Sequence, residues 1–497
     1  MEIKNNEGKG SMRTLVMKFG GTSTGSGEAL HSSAEIVIAQ IGEWDHIVVV
    51  VSAMEGVTNM LLECAESALS RDKDTFQFVI ERLNNKLISV VHTLFSGWQY
   101  QEYLVGLLGA RIDELRSICQ HIQTRGTASP QELDEIAALG ERINVHVFSA
   151  VLRKRGICSE PVEASELIVT DDCFQAASPI KTLTDARIKA RLSPLLANSI
   201  IPVVTGFIGA TPKGATTTLG RGGSDFTATI LAKSLHADEV WFWTDVDGVM
   251  TADPCQTPRA RLIPEISYDE VYQLAYFGAK VLHPKTILPA RDRGIPLRVK
   301  NTFNPECMGT LISDYPLTEK HEVSAVTGLI DISLLTVRIK QGGEVNKIKT
   351  QISAALTKWG ISPLADFQTK QSRSLCFVIS RDKSSRAVQV FRGNRVLKSL
   401  GRTFWHPQVT DNLSLITIVG REIQYSHQIH SIVSNIIEKA GADVNQIGNG
   451  SSPNSLLFAV TNQNGEDIMN QIHDEVIITG NLISQKTQPV LRHMSKI

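Results

Sequence analysis

A three-layer α/β/α domain followed by two small α+β units is the fold this sequence predicts, and three observations predict it. From Leu15 to about Ser313, apolar β-rich runs alternate with helical stretches, the texture of βαβ units. Runs such as Ile47-Val48-Val49-Val50-Val51 are continuous rather than alternating, which suits parallel strands covered on both faces. From about Glu322 the texture changes, and Ile352–Ser380 and Ile432–Thr461 resemble each other: helix, small turn, strand, polar loop, strand. The predicted boundaries are an extension at 1–12, a first domain at 13–315, and two repeated units at 322–400 and 401–497. Unrelated βαβ hairpins are the alternative reading of the repeat.

Taken in order, the predicted buried strands are Leu15–Met17, Ile47–Ser52, Ile201–Phe207, Glu239–Thr244 and Leu297–Lys300. A helix is expected from Ala29 to Gln40, and Asn59–Arg125 reads as a helical excursion without strand signals. The 497 residues exceed the ~250–300 at which single cores stop growing, which agrees with several domains. A 42% hydrophobic and 20% charged composition is that of a folded soluble chain. A net charge of −1 argues against a general nucleic-acid or membrane-surface role. Seven scattered cysteines with no C-x-x-C spacing argue against a disulfide framework or zinc site and point to a reducing, cytoplasmic setting. The polar first dozen residues do not read as a secretory signal, and no apolar run approaches the ~20 residues that cross a bilayer.

Each chemistry-bearing segment sits at the end of one of the apolar runs, where open α/β sheets gather ligands. Lys18-Phe19-Gly20-Gly21-Thr22-Ser23 combines a strand end, a Gly-Gly turn and a following helix. That arrangement favours an anion such as a phosphate, with Lys18 adding mobile charge, although an ordinary βα turn has the same outline. It is not a Walker A loop, whose lysine follows the glycines. Ser52 and Thr58 offer hydroxyls to a carboxylate or phosphate, or else cap a helix. Glu141, in Ala138-Leu139-Gly140-Glu141-Arg142, would accept hydrogen bonds from an ammonium group unless it is a solvated surface acid. In Gly220-Arg221-Gly222-Gly223-Ser224-Asp225, Arg221 offers a bidentate grip on a carboxylate. Ser224 and Asp225 cap the next helix, or Asp225 orients lysines. Thr244-Asp245-Val246-Asp247-Gly248-Val249-Met250-Thr251-Ala252-Asp253 makes a loop suited to a nucleotide ribose or base edge, or a plain turn. Lys280, in Gly278–Pro284, adds a second positive charge. Lysines, an arginine, hydroxyls and glycine nests supply the positioning and charge neutralisation that phosphoryl transfer needs. Magnesium held by ATP phosphates and water requires no dedicated protein cage.

In that order these motifs resemble the amino-acid kinase superfamily and, within it, the aspartate kinases, while the tail is similar to their tandem, ferredoxin-like ACT domains. The resemblance covers nearly the whole chain. It implies ATP- and Mg²⁺-dependent phosphorylation of the β-carboxylate of L-aspartate, at the entry to lysine, threonine, methionine and isoleucine synthesis. It gives Lys18 and Asp225 the catalytic roles and makes Ser52, Thr58, Glu141, Arg221 and Ser224 the aspartate ligands. It assigns Lys18, Gly20, Gly21, Thr244, Asp245, Met250, Asp253 and Lys280 to the ATP side. It further implies an amino-acid effector at the ACT units, a homodimer or homotetramer, and no homoserine dehydrogenase domain. Met250 and Phe226 stand where family members often carry tyrosine, and the loops Gln368–Ser374 and Asn449–Ser455 depart from the usual effector-loop pattern. A sister kinase acting on glutamate or acetylglutamate, and an inactive amino-acid sensor, are the rival expectations.

Overall fold

The computed structural model describes residues 12–279, 282–314, 323–340, 344–369, 373–393, 407–442, 444–449, 452–461 and 465–479. Lys280 therefore lies outside the described residues, as do the extension up to residue 11 and parts of both expected effector loops (370–372 and 450–451). The chain forms two compact units: residues up to Gly248 with Lys285–Asp314, and Val249–Pro284 with Tyr315 onward.

The first unit opens with β1 (Thr14–Phe19), α1 (Gly27–Ala39) and β2 (His46–Val51). The helical excursion follows as α2 (Val57–Ser70), α3 (Lys73–Phe95), α4 (Gln101–Arg125) and α5 (Pro130–Lys154). Its ends are set locally: Asp72 caps α3 by accepting from the Thr75 amide, and Ser129 with Glu132 forms a capping box at α5, with Pro130 at its first position. Then come β3 (Ser159–Val162), α6 (Lys181–Ala197), β4 (Ile201–Thr205), β5 (Ile208–Ala210), β6 (Thr216–Thr218), α7 (Gly223–Leu235) and β7 (Glu239–Thr244). β8 (Glu265–Ser267) and α8 (Tyr268–Tyr276) belong to the second unit, after which α9 (Pro284–Arg291), β9 (Leu297–Asn301) and β10 (Thr310–Ser313) complete the first.

Its sheet runs β3-β4-β2-β1-β7-β9-β10. The pairs from β3 to β9 are parallel, whereas β10 lies antiparallel to β9. The strands on either side of β1 come from opposite halves of the unit, so β1 marks the switch point where open α/β sheets leave a crevice. Phe19 pairs with both Val51 and Trp243, and Val51 pairs with Thr205, so these strands end at one level. Val48, Val49, Val50 and Val51 are fully buried, as continuous apolar strands in a covered sheet should be.

The expected strand 201–207 stops at Thr205. A Cβ at Gly206 would fall 2.5 Å from the Ser224 Cβ, and Phe207 takes φ +68°, so the backbone turns there into the β5–β6 hairpin.

The second unit adds β11 (Ala325–Arg338), α10 (Val345–Lys358), β12 (Ala365–Thr369), β13 (Ser374–Ser380) and α11 (Ser384–Gly393). The same order returns in β14 (Gln408–Val419), α12 (His427–Lys439), β15 (Val444–Asn449), β16 (Ser455–Thr461) and α13 (Gly465–His473). Both repeats leave their first helix through a glycine in the left-handed region, Gly360 (φ +74°) and Gly441 (φ +66°). The repeats do not keep separate sheets. Their six strands close into one barrel, β11-β13-β12-β15-β16-β14, which leaves no free edge. Phe277, Phe367, Leu415 and Leu457 fill part of its interior.

Gly140 decides how closely α5 approaches the segment between β2 and α2, because a Cβ there would lie 2.6 Å from the Ala53 Cβ. Gly140→Ala is expected to lower stability by about 1–3 kcal/mol through overpacking, read as a fall in Tm in thermal unfolding.

Candidate active site

Lys18 leaves β1 on the side of α7, and its Nζ lies 2.6 Å from Asp225 Oδ1, with 12% and 17% of the two side chains exposed. Asp225 sits in the first turn of α7 but does not cap it. The cap residue is Gly222 in the left-handed region, with no side-chain cap bond, and the Thr227 hydroxyl donates back to the Gly223 carbonyl in the first turn. Nor do Ser52 or Thr58 cap α2, which begins at Gly56 with φ +76° and no side-chain cap.

The Gly20–Gly21 turn differs from the expected phosphate cradle. The Gly20 amide donates to the Trp243 carbonyl at 3.0 Å and the Gly21 carbonyl accepts from the Glu55 amide. A short 3₁₀ helix, Thr22–Thr24, follows the turn without a side-chain cap, and α1 starts at Gly27, capped by Ser26. What the glycines provide is proximity: Cβ atoms would lie 3.6 Å from Lys18 Nζ at Gly20 and 3.2 Å from the Ala53 carbonyl at Gly21.

Lys18, Gly21, Ser52, Thr58, Glu141, Arg221, Ser224 and Asp225 all line one cavity of about 600 Å³. Chain segments as far apart in sequence as Lys18 and Asp225 thus meet in one pocket at the carboxyl ends of the strands. Glu141 is not a solvated surface acid. It is 4% exposed, and its Oε2 has no hydrogen-bond partner. Burial pushes its carboxyl up to about 8, against the opposing pull of the Ala53 and Glu141 amides and the Lys18 charge. Arg221 is exposed between Gly220 (φ +75°) and Gly222 (φ +72°), two positions that favour glycine. Among the described residues it makes no ion pair. The pocket therefore offers a lysine–aspartate pair, a guanidinium that makes no ion pair among the described residues, and a buried carboxyl group with one oxygen unpartnered.

Sequence reasoning missed two buried residues on α5. Asp134, 2% exposed, accepts from the Gln175 amide, the Thr218 amide and the Thr218 hydroxyl. Asn144, fully buried, donates through Nδ2 to Thr24 Oγ1 and to the Ser52 carbonyl. The available signal was helical spacing: Asp134, Glu141 and Asn144 fall at i, i+7 and i+10, a polar stripe on a helix that otherwise buries apolar residues.

Of the expected nucleotide-side residues that the structure describes, Lys18 and Gly21 alone line this cavity. Thr244 ends β7 and Asp245 follows it, with Thr244 Oγ1 3.1 Å from Asp245 Oδ1. Asp247 braces the loop after β9, accepting from Asn301 and Asn304. Met250 and Asp253 belong to the second unit. There Met250 bridges to Leu262, and Asp253 Oδ1 accepts from the Cys255 amide, closing a turn. Phe226 contributes only its backbone here, its amide donating to Gly222. Among the described residues no group of three or more His, Cys, Asp or Glu is placed to hold a metal ion, and no helix is long and apolar enough to cross a membrane. The seven cysteines are unpaired.

Residues 13–301 match the model of the amino acid kinase family. The chain is 30% identical to the chloroplastic aspartokinase 2 of Arabidopsis thaliana, over 95% of its own length and 86% of that protein. It is also 30% identical to a chloroplastic bifunctional aspartokinase/homoserine dehydrogenase 1 of Zea mays, of which it spans about half (51%). Among solved structures it is similar to Escherichia coli aspartokinase III at 27% identity, covering 93% of this chain. The TM-score is 0.79 for that enzyme's complex with aspartate and ADP, over 100% of its chain, and 0.71 for its complex with lysine and aspartate, over 99%.

The raised Glu141 carboxyl has a consequence for stability. Because the fold favours its protonated form, its stabilising share is complete below the unfolded value near 4.5 and is lost as pH rises through about 8. Glu141→Gln removes that loss. Relative to the parent, its Tm is expected to rise progressively between pH 5 and pH 9, by on the order of a few kcal/mol of stability; parallel melts across that range check it.

Proposed function

Because the chain belongs to the amino acid kinase family, and within it to the aspartokinases, we propose that it is an aspartate kinase. It transfers the γ-phosphoryl group of ATP to the β-carboxylate of L-aspartate, giving 4-phospho-L-aspartate at the entry to lysine, threonine, methionine and isoleucine synthesis. The observation that carries this reading is the pairing of opposite, unsatisfied groups in one cavity: Arg221 for a carboxylate and Glu141 for an ammonium, beside the Lys18–Asp225 pair.

L-Aspartate enters with its α-ammonium towards Glu141. The incoming positive charge ionises that acid and releases its proton to solvent. Arg221 grips a carboxylate bidentately, and Ser52, Thr58 and Ser224 supply hydroxyl donors around it. The β-carboxylate is already ionised at neutral pH, so an oxygen lone pair attacks γ-phosphorus without a general base. The new carboxyl O–P bond forms as the bond to the β,γ-bridging oxygen breaks, and ADP leaves with that electron pair. Lys18 stabilises the charge spread over the transferring group, and Asp225 fixes where Lys18 points. Gly20 leaves space beside the Lys18 ammonium, where a Cβ would lie 3.6 Å away. Thr244 and Asp245 serve the nucleotide, and the resemblance gives Met250, Asp253 and Lys280 the same role. Magnesium arrives as part of the ATP substrate, held by phosphates and water.

The C-terminal barrel is the regulatory module, taking an amino-acid effector in a homodimer or homotetramer. A lysine complex of Escherichia coli aspartokinase III supports an effector of that class. Seven unpaired cysteines suit a reducing compartment such as the cytosol.

Hydroxylamine trapping with ATP, Mg²⁺ and L-aspartate is expected to yield aspartyl hydroxamate, with little product from L-glutamate; no hydroxamate from aspartate overturns the reading. Lys18→Ala is expected to lower kcat about 10²–10⁴-fold, whereas Arg221→Ala acts chiefly on KM for aspartate. A Lys18→Ala variant that turns over normally rules out the assigned phosphoryl-transfer role.

A further inference from the structure

One wall of the pocket is held in a backbone conformation that bulky residues avoid. Phe207, two residues beyond β4, has φ +68°, and across it the Ile208 amide donates to the Gly206 carbonyl at 2.7 Å. A positive φ at the centre of an i to i+2 hydrogen bond marks the rare, strained form of the γ-turn. Such strain persists only where the surroundings impose it, and three further bonds do so. The Phe207 amide donates to Thr227 Oγ1 at 3.1 Å, and the Phe207 carbonyl accepts from the Leu219 amide at 2.9 Å. The Gly206 amide donates to the Val51 carbonyl at 2.8 Å. Thr227 is fully buried, and its hydroxyl donates in turn to the Gly223 carbonyl. The turn lays the ring against the start of α7, where a Cβ on Gly223 would lie 2.6 Å from Phe207 Cδ2. Ser224 follows Gly223, and then comes Asp225, which pairs with Lys18. Phe207 itself lines the cavity with Lys18, Arg221 and Asp225, and among the described residues it is the one aromatic side chain to do so.

Glycine would take this backbone freely, so what a phenylalanine adds at this point is its ring. A phenyl ring neither grips a phosphate nor moves a proton; beside a charged pair it keeps water out. We propose that the Phe207 ring shields the transferring phosphoryl group from water, so that it passes to a carboxylate and not to solvent. The proposal rests on the aspartate kinase reading, which supplies the two substrates. The reaction suppressed is ATP hydrolysis. A water oxygen attacks γ-phosphorus, the bond to the β,γ-bridging oxygen breaks, ADP leaves with that electron pair, and the water's proton goes to solvent as inorganic phosphate forms. Charge complementarity gives no defence against this rival, because the Lys18 ammonium stabilises the γ-phosphoryl group whichever nucleophile arrives. Occupied space does give one, since a polar wall would hold water by hydrogen bonds and an apolar ring does not. Excluding water also strengthens the attraction between Lys18 and the phosphoryl oxygens.

The test measures ADP, by chromatography, against aspartyl hydroxamate in one mixture of ATP, Mg²⁺, L-aspartate and excess hydroxylamine. It is run on the parent chain, Phe207→Gly, Phe207→Leu and Thr227→Val. Hydroxylamine traps released aspartyl phosphate whichever variant made it, so ADP in excess of hydroxamate reports water reaching the site. The parent is expected to form the two in about equal amounts. Phe207→Gly accepts the positive φ without strain and is expected to raise the ADP-to-hydroxamate ratio at least ~5-fold. Phe207→Leu keeps apolar bulk at the same point and should hold the ratio within about twofold of the parent. Thr227→Val removes the acceptor of the Phe207 amide and should raise the ratio about threefold; it carries the test if Phe207→Gly does not fold. An unchanged ratio in Phe207→Gly, even with slower hydroxamate formation, overturns the proposal, because the ring would then serve packing alone. So does an unchanged ratio in Thr227→Val where Phe207→Gly fails to fold, and so does a Phe207→Leu variant as uncoupled as Phe207→Gly. A parent chain that forms no hydroxamate removes the aspartate kinase reading itself; one that does form it leaves that reading standing whatever the ratio in the variants.

Discussion

Phe19, Val51 and Trp243 lie side by side in the sheet, and parallel strands paired in that register must end together. The segments after them, Gly20–Ser23, Ser52–Asn59 and Thr244–Gly248, therefore emerge at one level. With Thr205 paired to Val51, the turn that leads to the β5–β6 hairpin and on to Arg221 is added at the same height. No loop has to reach far, which is why residues distant in sequence build a pocket without long unsupported segments. Small residues make the meeting possible. Gly21, Gly140, Gly206 and Gly223 each stand where a Cβ would crowd backbone or side chain of the neighbouring segment.

The electrostatics of the pocket follow from which charges are paired inside the chain. Lys18 and Asp225 satisfy each other at 2.6 Å, so a lysine in a half-closed cavity needs no other counter-ion before a phosphate arrives. Glu141 is held where no donor reaches Oε2, and burial pushes its carboxyl up to about 8. An acid in that state has little to lose by accepting a cation and much desolvation to recover. Around these groups Asp134 and Asn144 spend their hydrogen bonds on the walls, Asp134 between α5 and β6 and Asn144 between Thr24 and the Ser52 carbonyl. Glu141 Oε2, which would meet a ligand, is left without a partner, while the Asp134 carboxylate and Asn144 Nδ2 are bonded to the walls.

The second unit is built on a duplication, but its stability is shared rather than doubled. β11 pairs with β13 of its own repeat and with β14 of the other, so neither repeat keeps an exposed edge along that seam. Apolar cores on both sides of the barrel pack helices from each repeat against it. Val249–Pro284 is fixed within the same unit. The Val326 amide donates to the Thr251 carbonyl, Thr251 Oγ1 lies 2.9 Å from His473 Nε2, and Tyr276 donates to Asp366. A stretch that reads in sequence as the continuation of a strand-end loop is, in its packing, part of the barrel's surroundings.

Much of this was legible from residue patterns. Continuous Val and Ile runs named the parallel strands, β-rich runs interrupted by helical stretches named the α/β architecture, and the repeat at Ile352 and Ile432 named the duplicated tail. Eight of the expected site residues, from Lys18 to Asp225, come together in one cavity, because motif residues at strand ends are brought together by any parallel sheet. What the pattern could not carry depends on distances across the fold. Gly20 reads as a phosphate-facing amide until the Trp243 carbonyl is found 3.0 Å away, and Ser224 reads as a cap until Gly206 is found beneath it. Glu141 looks like any surface glutamate until α5 settles on Ala53, and Asp134 has no motif to announce it. Local chemistry, which depends on neighbours in sequence, was written in the chain itself. Protonation, hydrogen-bond satisfaction and the spacing of Glu141 from Arg221 were decided only by tertiary structure, because each depends on burial and on partners far away in sequence.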